Sequence, residues 1–123
     1  MNFEILTTSY FKASAKKMAK RYRSFASDLE RLLNDLTNNP YQGAELTPGI
    51  RKIRMRITSK GKGSSGGARV ITLTYATSDD SGHIYLLLLY DKSDSESVKI
   101  NVVRSIVSEL GLDLNKMNKE GKL

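Results

Sequence analysis

Between Arg51 and Thr58 apolar and basic residues alternate one for one, with Ile53, Met55 and Ile57 on one side and Lys52, Arg54 and Arg56 on the other. A period of two predicts a half-buried strand with one cationic face. Upstream the period changes. Phe25, Leu29, Leu32, Leu33 and Leu36 recur at i, i+4, i+7, i+8 and i+11, which is one stripe of a helix. Asn38, Asn39 and Pro40 end that helix, and Gly43, Pro48 and Gly49 mark a loop into the basic strand. Earlier still, Phe3 to Leu6 reads as a short first strand. Thr7, Thr8 or Ser9 is placed to cap a helix over about Phe11 to Tyr22, so that two helices form a pair packed on a sheet.

Downstream, Lys60 to Gly67 is glycine, serine and lysine and reads as a flexible hairpin loop. The run RVITLTYA from Arg69 and the run HIYLLLLY from His83 flank a turn at Ser78 to Gly82, which predicts a hairpin. Ile84 to Leu89 is apolar on both faces, as a strand covered on both sides must be. The helix pair supplies one cover. The second is a C-terminal helix, in which Val98, Val102, Val103, Ile106, Val107 and Leu110 recur at helical spacing before Gly111 stops it. The element order predicts an α+β fold: a small, mainly antiparallel four-stranded sheet with an N-terminal helix pair and a C-terminal helix. The three later strands are expected to be sequential neighbours. One domain is expected over 1–112, followed by a polar tail over 113–123.

Composition narrows the function. The chain has 123 residues, and 39% of them are apolar, which suits one soluble domain. No apolar run approaches the length of a membrane span, and the N-terminus lacks the continuous apolar core of a secretory signal, so a cytoplasmic location is the expectation. The absence of cysteine excludes disulfides, thiolate metal sites and cysteine nucleophiles. His83 is the one histidine, which argues against a histidine-built metal centre, and neither a metal nor a cofactor is expected.

Charge points to the partner. The formal net charge is +7, and Arg51 to Arg69 alone holds seven basic residues and no acidic one. Such a segment is where a polyanion binds. Arg69 opens the strand that returns from the loop, so it stands beside the cationic face of the preceding strand. The first helix adds Lys12, Lys16, Lys17, Lys20 and Arg21, with Arg23 at its end. The plainer reading of these charges is a solvated face, with direct RNA contact as the alternative. Gly61, Gly63 and Gly66 spell GxGxxG, but a strand follows where the dinucleotide fingerprint needs a helix N-terminus. Tyr90 ends a strand, where sites are common and where a tyrosine can stack on a base.

The run GIRKIRMRI, the loop GKGSSGGARVI, the strand IYLLLLYDKSDSES and the helix ending in LLNDLTNNP, in that relation over about residues 10–111, together resemble the RelE/HigB-type toxins of bacterial toxin and antitoxin pairs. The resemblance implies the fold expected above. It also implies a metal-independent endoribonuclease that cuts messenger RNA in the ribosomal A site, with a cognate antitoxin as second partner. In such cleavage a 2′-hydroxyl attacks the adjacent phosphate, which calls for cations on the phosphate, proton transfer and a group that stacks on the base. By position, Arg54 and Arg56 match the family's paired basic strand residues, Arg69 its phosphate-binding arginine, and Lys92 a lysine that follows the last strand. Arg51, Lys52, Lys60 and Lys62 are further RNA-binding candidates. The pattern also departs from the family. Arginines replace strand lysines, Ser93 stands where an arginine is proposed as acid, and the family's C-terminal tyrosine has no clear counterpart. Candidates for proton transfer are therefore Lys60 or Lys62, Asp91 or Glu96 as a carboxylate base, and Tyr90 as stacker or acid. The alternative is a non-nucleolytic inhibitor of DNA gyrase, as in ParE-like relatives of the same fold, or a degenerate toxin that binds RNA without cutting it.

Overall fold

The computed structural model describes residues 2–61 and 63–111. Its elements run β1 (Asn2–Thr7), α1 (Ser9–Arg21), α2 (Phe25–Asn38), β2 (Ala44–Thr47), β3 (Ile50–Met55), β4 (Ala68–Ala76), β5 (Ser81–Asp91) and α3 (Ile100–Glu109). The α+β class is as expected, and β3, β4 and β5 are sequential antiparallel neighbours. The sheet itself differs. It has five strands in the order β1-β5-β4-β3-β2 and is mixed, because β1 lies parallel to β5 from Asn2 opposite Ser81 to Thr7 opposite Leu86.

Parallel pairing delivers the end of β1 to the middle of β5, where Thr8 performs three tasks. Its N–H donates to the Leu86 carbonyl at 3.2 Å, its hydroxyl donates to the Leu87 carbonyl at 2.8 Å, and its Oγ1 accepts from the Phe11 N–H at 3.0 Å. The last of these caps α1, so the cap that starts the helix also ties it to the sheet. The added strand, β2, is only four residues long and lies between Gly43 and Pro48, which is why its sequence reads as loop. It folds back on β3 through Pro48 and Gly49, and Gly49 takes the left-handed φ of 84° that such a tight connection needs.

The two faces of the sheet carry separate cores. Phe11 and Met18 of α1 and Phe25, Leu32 and Leu36 of α2 pack on Ile53, Met55, Val70, Ile84, Leu86 and Leu89, with Leu29 and Leu33 partly buried at the margin. On the other face Val103, Ile106 and Val107 of α3 cover Ile50, Ile71, Leu73 and Leu87. A shift between Ile71 and Thr72 leaves Leu87 as the extra residue of β5, so the adjacent Leu87 and Leu88 both face the α3 core while Leu86 and Leu89 face the helix pair. The both-faced apolar run of β5 thus has its covers on both sides. No helix among the described residues is long and apolar enough to cross a membrane. The tail over 113–123 lies outside the described residues.

Leu36 is fully buried between α2 and the sheet. Leu36→Ala is expected to lower unfolding stability by about 2–5 kcal/mol through the cavity it leaves. Chemical denaturation of the two proteins checks this, and equal midpoints would remove α2 from the core.

Candidate nucleic-acid interface

The alternation in β3 survives folding. Ile53, Met55 and Ile57 are buried under the helix pair, and Arg54 and Arg56 are exposed on the opposite face, with Lys52 half-buried beside them. This is the face on which α3 sits, and the core beneath it runs through Ile50, Leu73, Leu87 and Ile71 as far as the half-buried Tyr90. At that end the ladder places Arg54 opposite Arg69 and Arg69 opposite Tyr90, a row across three adjacent strands. Side chains directly opposite in antiparallel strands are near neighbours, and like charges there repel. An anion seated on the row relieves that repulsion.

The three members of the row differ in kind. Arg54 makes no hydrogen bond or ion pair with the described residues and projects into solvent. Arg69 is 5% exposed, and its guanidinium donates to the Ala68 carbonyl at 3.1 Å and the Ser65 carbonyl at 2.9 Å. It therefore anchors the glycine loop as well as charging the face. Replacing it by alanine would remove a loop contact together with any phosphate contact. Tyr90 is half-buried, and its buried hydroxyl has no hydrogen-bond partner among the described residues. Burial pushes the Tyr90 pKa up, against an opposing influence from the Arg69 charge, so the phenol stays protonated at neutral pH. An unsatisfied buried donor beside a guanidinium is a group waiting for an acceptor.

β2 pairs with β3 only as far as Lys52, and beyond that point Arg54 and Arg56 line a groove of about 170 Å³ with Arg31, Gln42, Asp28 and Asp35. Lys92 follows β5 and extends the ladder by donating its N–H to the Gly67 carbonyl at 3.1 Å, while its half-exposed side chain carries no hydrogen bond or ion pair among the described residues.

The remaining candidates fall elsewhere. Arg51 lies on the other face from Lys52 and Arg54, with its guanidinium 5.2 Å from the centre of the Tyr41 ring and 3.3 Å from Glu45. Its side chain is only 13% exposed, so it is a packing residue. Lys60 is withdrawn too. Its side chain is 6% exposed, and its Nζ donates to Asp91 at 2.5 Å, to the Gly66 and Gly67 carbonyls at 3.0 Å each and to Ser93 Oγ at 3.1 Å. Asp91, a candidate base from its position, is buried and accepts from Lys60, Arg21, the Tyr22 hydroxyl and the Ser93 N–H. Glu96 stands exposed in the connection between β5 and α3, off the sheet. Lys62 lies outside the described residues.

The loop between β3 and β4 is thus held at both ends. It folds into short 3₁₀ turns at Thr58–Lys60 and Ser64–Gly66, where a flexible connector was expected. At its start the buried Asp28 of α2 accepts from the Thr58 hydroxyl at 2.5 Å and N–H at 2.9 Å, from the Ser24 hydroxyl at 2.7 Å and from Arg31 at 3.3 Å. At its end Lys60 gathers the Gly66 and Gly67 carbonyls onto Asp91. Gly67 passes so close to β3 that a Cβ there would lie 2.1 Å from the Met55 carbonyl oxygen. Neither carboxylate anchor announces itself in sequence, because Lys60 and Tyr22 lie 31 and 69 positions from Asp91.

Burial alone would raise the pKa of Asp91. The bonds from Lys60, Tyr22, the Ser93 N–H and Arg21 outweigh it and hold the carboxyl well below its usual range. Asp28 is likewise lowered, its burial outweighed by Thr58, Ser24 and Arg31. Neither group is suited to accept a proton near neutral pH. No protein-family model matches the chain.

A carboxylate whose folded pKa is depressed contributes stability that is fully present above its unfolded pKa and is lost as pH falls through the folded value. The protein is therefore expected to lose stability progressively below about pH 4. Asp91→Asn is expected to destabilise by about 3–5 kcal/mol by leaving Lys60 buried without its partner, and to flatten the acid limb. Urea denaturation across a pH series checks both, and an unchanged acid slope in the variant would show that Asp91 is not part of it.

Proposed function

We propose that this protein is a RelE/HigB-type toxin, an endoribonuclease that halts translation by cutting messenger RNA in the ribosomal A site and is held inactive by a cognate antitoxin. The observation that carries the reading is the row of Arg54, Arg69 and Tyr90 across three strands, with Arg54 exposed at the edge of β3 and Arg69 and Tyr90 set behind it. A single RNA strand laid on that edge brings a phosphate between guanidiniums. The 2′-hydroxyl of the preceding ribose gives up its proton to water as its oxygen attacks phosphorus, the bond to the 5′-oxygen breaks, and that oxygen takes up a proton, leaving a cyclic phosphate and a 5′-hydroxyl. Arg54, Arg56 and Arg69 meet the charge that grows on the phosphoryl oxygens. Tyr90, protonated and without a hydrogen-bond partner among the described residues, suits donation of a hydrogen bond or proton to the phosphate or the departing oxygen. Lys92 adds a further cation beside it.

Two of the residues considered for proton transfer, Lys60 and Asp91, are consumed by the loop anchor. That favours a second reading of different class, in which the cationic face binds without cutting, either as a gyrase inhibitor or as an RNA-binding protein. The two readings separate in a reconstituted translation reaction with a defined messenger RNA, read by primer extension with ribosomes present or omitted. Ribosome-dependent cuts are expected. Arg54→Ala and Arg56→Ala are each expected to slow cleavage on the order of 10²-fold while shifting stability by no more than about 0.5 kcal/mol, as surface changes do. Parent-like cutting by both variants would defeat the assignment of the row. Intact message with halted growth would transfer the protein to the gyrase reading, tested by DNA supercoiling.

Tyr90→Phe provides a sharper split. It removes a buried hydroxyl that has no hydrogen-bond partner among the described residues, so stability is expected to hold or to rise by about 1 kcal/mol, while cleavage falls. A variant that cuts at the parent's rate would exclude the phenol from the reaction.

A further inference from the structure

We infer that the outward face of α1 is a second polyanion surface, shaped to lie along the phosphate backbone of a folded nucleic acid and separate from the row on the sheet. α1 buries Phe11 and Met18 against the sheet, on the face away from Arg54 and Arg69. Opposite that buried stripe Lys12, Lys16 and Lys20 follow one another at i, i+4 and i+8, all exposed, with Lys17 alongside and Arg23 just past the helix end. The helix contains no acidic residue. Of its basic residues only Arg21 meets a carboxylate, pairing with Asp91 and Asp94 at 2.8 Å each. The three stripe lysines have no hydrogen bond or ion pair among the described residues.

Like charges four residues apart on a helix repel and lower its stability. The neighbouring helix α2 avoids this by interleaving Asp28, Glu30, Arg31 and Asp35, and it pairs Arg31 with Asp28. α1 carries the repulsion uncompensated, and the missing counter-charge is anionic. The rise of 1.5 Å per residue sets successive stripe lysines about 6 Å apart, a spacing on which separate phosphates of one backbone are engaged one lysine each.

The chemistry between the lysines selects the kind of partner. Ala13 and Ala19 are the exposed apolar residues among them, and the exposed Tyr10 has its hydroxyl tied to Glu109 at 2.7 Å. A protein partner needs a buried aromatic or aliphatic anchor at the centre of its contact, and this face offers none. Lysine contacts to phosphate need no anchor and read no sequence. The surface is therefore a sequence-independent grip on the phosphate backbone of a structured nucleic acid, and it holds whether or not the row on the sheet cuts.

The test is binding of the full chain to a blunt-ended RNA duplex, followed by fluorescence anisotropy across a salt series. A duplex has no single strand to enter the β3 edge, so the α1 and sheet variants are compared on the same duplex. In parent protein log K is expected to fall linearly with log salt, and the triple variant K12Q/K16Q/K20Q is expected to reduce the slope by about 2 to 3, at roughly 0.9 per phosphate contact, and to weaken binding at least about tenfold at low salt. R54A/R56A should reduce the slope by less than the triple variant does. A triple variant with the parent's slope, or duplex binding lost in R54A/R56A instead, overturns the proposal. So does polyglutamate that competes for the same lysines more strongly than the duplex does, because the partner would then be an acidic protein. Circular dichroism melts confirm that both variants are folded. A parent chain that leaves message uncut refutes the nuclease reading alone and leaves this binding result standing.

Discussion

A single buried carboxylate organises the functional end of this molecule. Asp91 takes donors from the end of α1, from the turn after β5 and from Lys60 in the loop between β3 and β4. Because its side chain is 1% exposed, each unmade bond would carry a desolvation cost, so the donors must be present together. Lys60 cannot reach Asp91 without drawing the Gly66 and Gly67 carbonyls inward, and that closure sets the path on which Ser65 holds Arg69. The cation on one face of the sheet is thus positioned by an ion pair on the other.

This arrangement divides the basic residues into two populations with different physics. Arg21, Arg51, Lys60 and Arg69 have carboxylate, carbonyl or aromatic partners and spend their charge on structure. Arg54, Arg56, Lys92 and the α1 lysines have none among the described residues and give the surface its field. Proximity in sequence does not separate the groups, since Arg51 and Lys52 are neighbours with opposite assignments. What separates them is whether the fold brings a partner to the charge, since Arg54 and Arg69 share one face of the sheet yet Arg69 meets the Ser65 carbonyl while Arg54 projects into solvent. An enclosed charge needs partners to offset its desolvation, whereas an exposed one is solvated by water and can be met by a ligand.

Periodicity made much of this legible. The alternation through Arg56, the stripe of α2, the both-faced run of β5 and the valine-rich α3 each define a buried side, and the row of Arg54, Arg69 and Tyr90 follows once β3, β4 and β5 are neighbours. The same alternation sets Arg51 with Ile53, under the helix pair, so its assignment to RNA contradicted the pattern. β1 was harder. Its partner lies 79 positions away and parallel, and no local feature encodes either fact. β2 was hidden by its breakers. The role of Asp91 depended on three segments meeting, and a carboxylate next to a strand-end tyrosine reads as a catalytic base until its donors are seen.

The pairing of β1 with β5 also orders events in time. Contacts of such sequence separation are made late, because the intervening chain must be confined before they form. During synthesis β1 and the start of α1 emerge first, yet their edge of the sheet does not exist until residues Ser81 to Leu87 have followed. The same stretch of chain delivers Tyr90 and Asp91, and with them the closure of the glycine loop. The nascent protein therefore carries its basic residues into the open well before they are arrayed, and the cationic face is assembled in one late step together with the fold that supports it.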